Sequence, residues 1–150
     1  MASFFEFIKY AAIRECEVKR DRYVSFMNQA SGKTIKKFYS IMAQRKNRGI
    51  KKLSRMDEIP RLPALKARHL TVCTVAPEGN LNALKVLPDA MLLARKEEHK
   101  SYNLYFTLAN RTHEEAKQRF FLWIMYLYKS DLIFCERLLT RISAYSVRHV

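Results

Sequence analysis

The 150-residue sequence has three glycines and four prolines. That is too little punctuation for many short strands and tight turns, so a few long helices are expected. Its three cysteines, Cys16, Cys73 and Cys135, are odd in number and contain no CxxC pair. This excludes a disulfide framework and favours a reducing, intracellular, cytoplasmic setting. The strongest apolar run, Phe120 to Tyr128, is nine residues long, whereas a bilayer-spanning helix takes about 20. The opening MASFFEFIKYAAIRECEVKR places Glu6 and Lys9 inside its apolar stretch, with no basic region before it. That pattern reads poorly as a secretory signal. There is no G-x-S-x-G, no P-loop and no Cys/His arrangement that spacing alone brings together, so nucleophilic catalysis has no support. His69 and Cys73 stand at i, i+4, but their β-branched neighbours disfavour the helix that would align them.

Acidic residues are also scarce: 14 Asp and Glu stand against 28 Lys and Arg, a net charge of +14. The excess is uneven, because residues 33–68 hold 12 of the basic residues and only 2 of the acidic ones. Lys37, Arg48, Lys51 and Arg55 lie away from the apolar stripe of their segment, making a basic outer face. Such a face is often merely solvated. Its functional reading is an anionic partner: RNA, DNA, membrane lipid or an acidic protein. No alternation of basic and aromatic residues marks a base-stacking platform.

What is abundant is apolar residues, 49% of the chain, in stripes spaced alternately by four and three. Leu87, Met91, Ala94, Tyr105 and Leu108 form one stripe, with Glu98 and Ser101 on the same face. A second stripe, earlier in the chain, runs Tyr10, Ile13, Glu17, Arg20, Val24, Met27. Two more run Ile35, Tyr39, Met42, Lys46, Gly49, Leu53, Met56 and Phe121, Ile124, Tyr128, Asp131, Cys135, Leu138, Ile142. Each is interrupted by polar residues near its middle, which predicts one polar layer across a four-helix bundle.

The expected fold is all-α, a single domain over 1–150: an antiparallel four-helix bundle of two helical hairpins joined by a long crossover. Helices are expected at about 3–29, 33–56, 88–110 and 112–145, with the crossover at 57–87, which holds Pro60, Pro63 and Pro77, and with Pro88 opening the third helix. Ser3 with Glu6, and Thr112 with Glu115, read as capping boxes, and Ser31-Gly32 reads as the first break. A helical turn is expected near 80–86, and Leu62, Leu65, Leu70, Val72 and Val75 suggest that the crossover packs on the bundle. In the last helix Phe120, Phe121, Leu122, Trp123, Met125 and Leu127 exceed what one core face holds. A second buried surface is expected, against the crossover or a partner chain, with a homodimer or larger assembly through this helix preferred.

With Glu98, Ser101, Leu104-Tyr105 and Leu108-Ala109 in one hairpin, and Glu17, Arg20, Tyr23-Val24 and Met27-Asn28 in the other, the chain resembles the ferritin-like superfamily, most closely its rubrerythrin-type branch. The resemblance covers all but the crossover and the ends. It implies a di-iron or di-manganese centre held by a glutamate from the first helix of each hairpin and a Glu-x-x-His pair from the second. The positions matching those pairs are Lys46 with Gly49 and Tyr128 with Asp131, and neither pair is intact. No histidine follows a glutamate at three residues, and His69, His99, His113 and His149 all lie off the stripes.

The expected polar core layer is therefore Glu17, Arg20, Lys46, Glu98, Tyr128 and Asp131, with lysine in place of metal. A register shift would instead turn Glu15 or Glu97 inward. No catalytic residue and no cofactor are expected, and the function expected is a non-enzymatic structural or binding protein with an eroded metal site. The alternative is a metal-binding oxidoreductase that uses Glu17, Glu98 and Asp131 for iron or manganese.

Overall fold

The computed structural model describes residues 3–61 and 82–148, with side chains through residue 142. Most of the expected crossover, with Leu62, Leu65, Leu70, Val72, Val75, His69 and Cys73, lies outside these residues, as does His149. Among the described residues there are four helices and no strands: α1 Phe4–Gln29, α2 Lys33–Ser54, α3 Leu87–Arg111 and α4 Glu115–Arg148.

Local chemistry fixes the helix ends. Ser3 caps α1, its hydroxyl oxygen accepting from the backbone N–H of Glu6, which satisfies one of the amides a helix start leaves unpaired. Gly32 caps α2 with φ of 87°, a conformation that only glycine adopts without strain. Asn82 accepts from Lys85 and Val86, forming the expected turn before α3, and Pro88 occupies the first turn of α3, where its missing N–H has no cost. Thr112 departs from expectation. Its hydroxyl donates to the carbonyl of Leu108 at 2.7 Å and finishes α3, so α4 starts at Glu115 and not at Thr112.

As residue numbers rise along α1, those of its partners in α2 fall: Lys9 bonds the Met56 carbonyl, Arg20 meets Asn47, and Tyr23 stacks near Tyr39. The same holds for α3 and α4, where Tyr105 stacks on Tyr128 while the Ala109 carbonyl accepts from Gln118. Small residues set the first pairing. Cys16 faces Gly49, where an added Cβ would lie 3.8 Å from the Cys16 sulfur.

The apolar interior divides into two clusters. One gathers Ala12, Cys16, Leu53, Tyr105, Phe120, Ile124 and Tyr128. The other gathers Tyr23, Ile35, Tyr39, Met42, Met91, Ala94 and Cys135. Between them come the middle residues of all four helices, including buried Lys46, Glu98 and Asp131. The stripes of α2, α3 and α4 face inward as their spacing requires. The stripe of α1 does not: Tyr10 is 70% exposed, whereas Ala12, Cys16 and Tyr23 are buried. The bulky residues of α4 divide by depth. Phe120, Phe121 and Met125 are buried, and Leu122, Trp123 and Leu127 pack half-buried against the same cluster.

The two glycines predict opposite responses to alanine. Gly49→Ala adds a methyl at ordinary contact distance and removes a glycine from a helix interior, so stability should rise by about 0.5–1 kcal/mol. Gly32→Ala forces a side chain to positive φ and should destabilise by about 1 kcal/mol or more. Urea unfolding midpoints of the two variants check the signs.

Candidate functional site

Position 46 falls between Met42 and Leu53 on the inward side of α2, and its side chain is 2% exposed. A buried ammonium costs several kcal/mol unless it is paired and hydrogen-bonded. Here the partners come from two other helices: the amine donates to Glu98 Oε2 of α3, and to Asp131 Oδ2 of α4 at 2.7 Å. It also stands 4.6 Å from the centre of the Tyr128 ring, within cation–π range. Burial lowers the Lys46 pKa, but the two carboxylates and their hydrogen bonds outweigh it, so the net shift is upward and the amine is charged.

The remaining carboxylate oxygens are taken as well. Tyr23 donates to Glu98 Oε1 at 2.7 Å, and Lys19 lies 3.9 Å from that oxygen while donating to the Glu97 carbonyl at 2.8 Å. Arg45 Nε donates to Asp131 Oδ1 at 2.6 Å, and its Nη2 reaches the carbonyl and hydroxyl of Ser130. Burial lowers the Lys19 pKa, and Lys46 nearby adds to this while Glu98 opposes it. Burial raises the Tyr23 phenol well above its ordinary value, and Glu98 raises it further. Two carboxylates are thus matched by the three cations Lys19, Arg45 and Lys46. The network is saturated.

Of the layer expected from the sequence, Lys46, Glu98, Tyr128 and Asp131 are brought together. Glu17 and Arg20 are not. Glu17 is a third exposed and pairs with Arg14 at 3.5 Å, and Arg20 bonds Asp21 and Asn47 on the outside of the α1–α2 pair. The cause is the turned register of α1, which brings Lys19 and Tyr23 inward and sets Glu15 against the Tyr105 hydroxyl at 3.3 Å. Arg45 is a further member that the stripes do not predict. Only its adjacency to Lys46, on the side facing α4, signals it.

This donor set does not fit a di-iron or di-manganese centre. The layer's two carboxylates already hold Lys46, and Glu17 of the alternative metal set points away. His99 stacks on Tyr102 and His113 is exposed, so neither supplies an imidazole. Among the described residues no three His, Cys, Asp or Glu side chains are placed to hold a metal ion. The two described thiols are buried, and burial raises the pKa of both Cys16 and Cys135, leaving them in protonated, unreactive form.

The outer side of α2 has the opposite character. The helix carries eight Lys and Arg and no acid. Lys33, Lys37, Arg48, Lys51 and Arg55 are all exposed, on the side away from Ile35, Tyr39, Met42 and Leu53. At 22 residues the helix presents a basic strip about 33 Å long. No helix among the described residues is long and apolar enough to cross a membrane. Compared with protein-family models, with curated proteins and with solved structures, the chain matches none.

Proposed function

We propose that the protein is a non-enzymatic nucleic-acid-binding protein on a ferritin-like scaffold of two antiparallel hairpins, with lysine standing where that kind of bundle would carry metal. The observation that carries the function is the acid-free outer side of α2. A strip of like charge costs the folded state something through self-repulsion, and a phosphate backbone offsets it by releasing condensed counterions. The saturated Lys46 layer supports the non-enzymatic half of the reading, since its carboxylates are committed to cations of the chain itself. A second copy docked through α4 is the weaker choice of partner, because the bulky residues of α4 already pack against its own core.

The test is fluorescence anisotropy with a labelled single strand, a duplex and a polyglutamate peptide across a salt series. Lys37→Glu with Arg55→Glu should weaken nucleic-acid binding by about tenfold or more and flatten its salt dependence, by about 0.7–0.9 in log–log slope for each phosphate no longer neutralised. Preference for the peptide would replace nucleic acid by an acidic protein, and no binding at low salt would remove the reading. Stoichiometric iron or manganese in protein purified without chelator would restore the oxidoreductase alternative.

A further inference from the structure

Between α2 and α4 lies a cavity of about 210 Å³ whose walls include Arg45, Lys46, Arg48, Lys52, Tyr128 and Asp131. We infer that this cavity is a binding site for a single phosphate group. Its polar wall carries four cations and one carboxylate, and that carboxylate is already used on both oxygens, Oδ1 by Arg45 and Oδ2 by Lys46. Arg48 and Lys52 have no ion-pair or hydrogen-bond partner among the described residues, and neither does Nη1 of Arg45. Arg48 and Lys52 stand at i, i+4 on α2, so their charged ends repel one another from adjacent turns. An anion between them removes that repulsion and engages the arginine fork.

The charge and size of the cavity select the ligand. A phosphomonoester carries about −1.5 to −2 charges near neutral pH and offers three acceptor oxygens, which suits a wall whose cations outnumber Asp131 and the Glu98 behind Lys46 better than a carboxylate does. The volume falls below the roughly 300–1,000 Å³ of pockets that enclose drug-sized ligands, so the phosphate enters while the rest of its carrier stays outside. The mouth opens beside the basic strip through Arg48. The carrier is therefore either the phosphorylated end of a nucleic acid strand or a small phosphorylated molecule. The site goes beyond the nucleic-acid reading, since a free phosphomonoester can occupy it whether or not a strand binds α2.

Calorimetric titration with inorganic phosphate, adenosine monophosphate and acetate tests the site. Phosphate and the nucleotide should bind saturably at one site per chain, and acetate should not. Arg48→Gln with Lys52→Gln replaces two exposed side chains and should weaken phosphate binding by about tenfold or more. Lys37→Gln with Arg55→Gln, on the strip but off the cavity wall, should leave it within about twofold. Absence of saturable phosphate binding, equal binding of acetate, or equal weakening in both double variants would overturn the assignment. Oligonucleotides with a 5′-phosphate or a 5′-hydroxyl then separate the two carriers: a preference for the phosphorylated end assigns strand termini, and equal binding of both ends alongside tight nucleotide binding assigns a small molecule.

Discussion

Lys46→Met should destabilise the protein by about 3–5 kcal/mol, a large share of a typical total of about 5–15 kcal/mol. Methionine keeps the length and volume of the lysine stem but removes the ammonium that joins Glu98 to Asp131. The two carboxylates are then left unequally supported. Asp131 keeps its 2.6 Å bond from Arg45, and its side chain is 11% exposed. Glu98, with no exposure, keeps only the Tyr23 hydroxyl and the more distant Lys19. The rescue should therefore be ordered. In the Lys46→Met background, Glu98→Gln removes the poorly compensated charge and should recover more than half of the stability, whereas Asp131→Asn breaks the pair with Arg45 and should recover less. Urea unfolding of the single and double variants measures this. A Lys46→Met midpoint close to that of the parent would contradict the layer as described, and equal rescue by both second substitutions would contradict the role given to Arg45.

Three of the four helices are legible from spacing alone, because each has one apolar side and one polar side. In α2 the contrast is strongest, with cations filling the face opposite Ile35, Tyr39, Met42 and Leu53, so the inward placement of Lys46 follows. The helix bounds also follow, as in α2, expected at 33–56 and found at Lys33–Ser54. The first helix misleads because its apolar residues surround it: Phe7, Tyr10, Val18 and Val24 are exposed while Phe5, Ile8 and Ile13 pack against the core. A stripe counted from large residues selects the wrong side there. The inward side is marked by small residues, Ala12 and Cys16, which let α1 approach α2 at Gly49. That one-position error assigns Glu17 and Arg20 to the layer and leaves out Lys19 and Tyr23.

Thr112 illustrates a second limit, since a threonine hydroxyl can bond an amide ahead of it or a carbonyl four residues behind it. The sequence pattern fits both, and the structure uses the second. The crowded run in α4 illustrates a third. Periodicity counts faces but not depth, and Leu122, Trp123 and Leu127 pack half-buried against the cluster that holds Phe120, Phe121 and Met125.

The interior phenols set the behaviour at high pH, and the expected result is cooperative unfolding within about two or three pH units above 10. Burial raises the pKa of Tyr39 to about 12. Burial also raises Tyr23, Tyr105 and Tyr128, with Glu98 beside Tyr23, Glu15 beside Tyr105, and Cys16 and Glu15 beside Tyr128 adding to it. Each of these phenols, neutral when folded, begins to ionise in the unfolded chain near pH 10, so between that pH and its folded value the native state holds the extra proton. Stability thus falls as pH rises through the window, and the buried thiols of Cys16 and Cys135, also raised by burial, begin the fall about one unit earlier. Lys46 acts in the same direction above its ordinary 10.5, because its raised pKa keeps it charged only when folded. Lys19, its pKa being lowered, acts in the opposite direction only below its ordinary 10.5, where the unfolded chain still holds that proton, and offsets nothing above it. With each proton contributing about 1.4 kcal/mol per pH unit, the four phenols and Lys46 together give a slope of roughly 5–7 kcal/mol per unit. A stability of about 5–15 kcal/mol cannot outlast two or three such units. Helicity and near-ultraviolet phenolate absorbance, followed together from pH 9 upward, should change in one coincident step. The phenolate signal of the buried tyrosines rising well before helicity is lost would show that they ionise within the folded state, and that the interior is open to hydroxide.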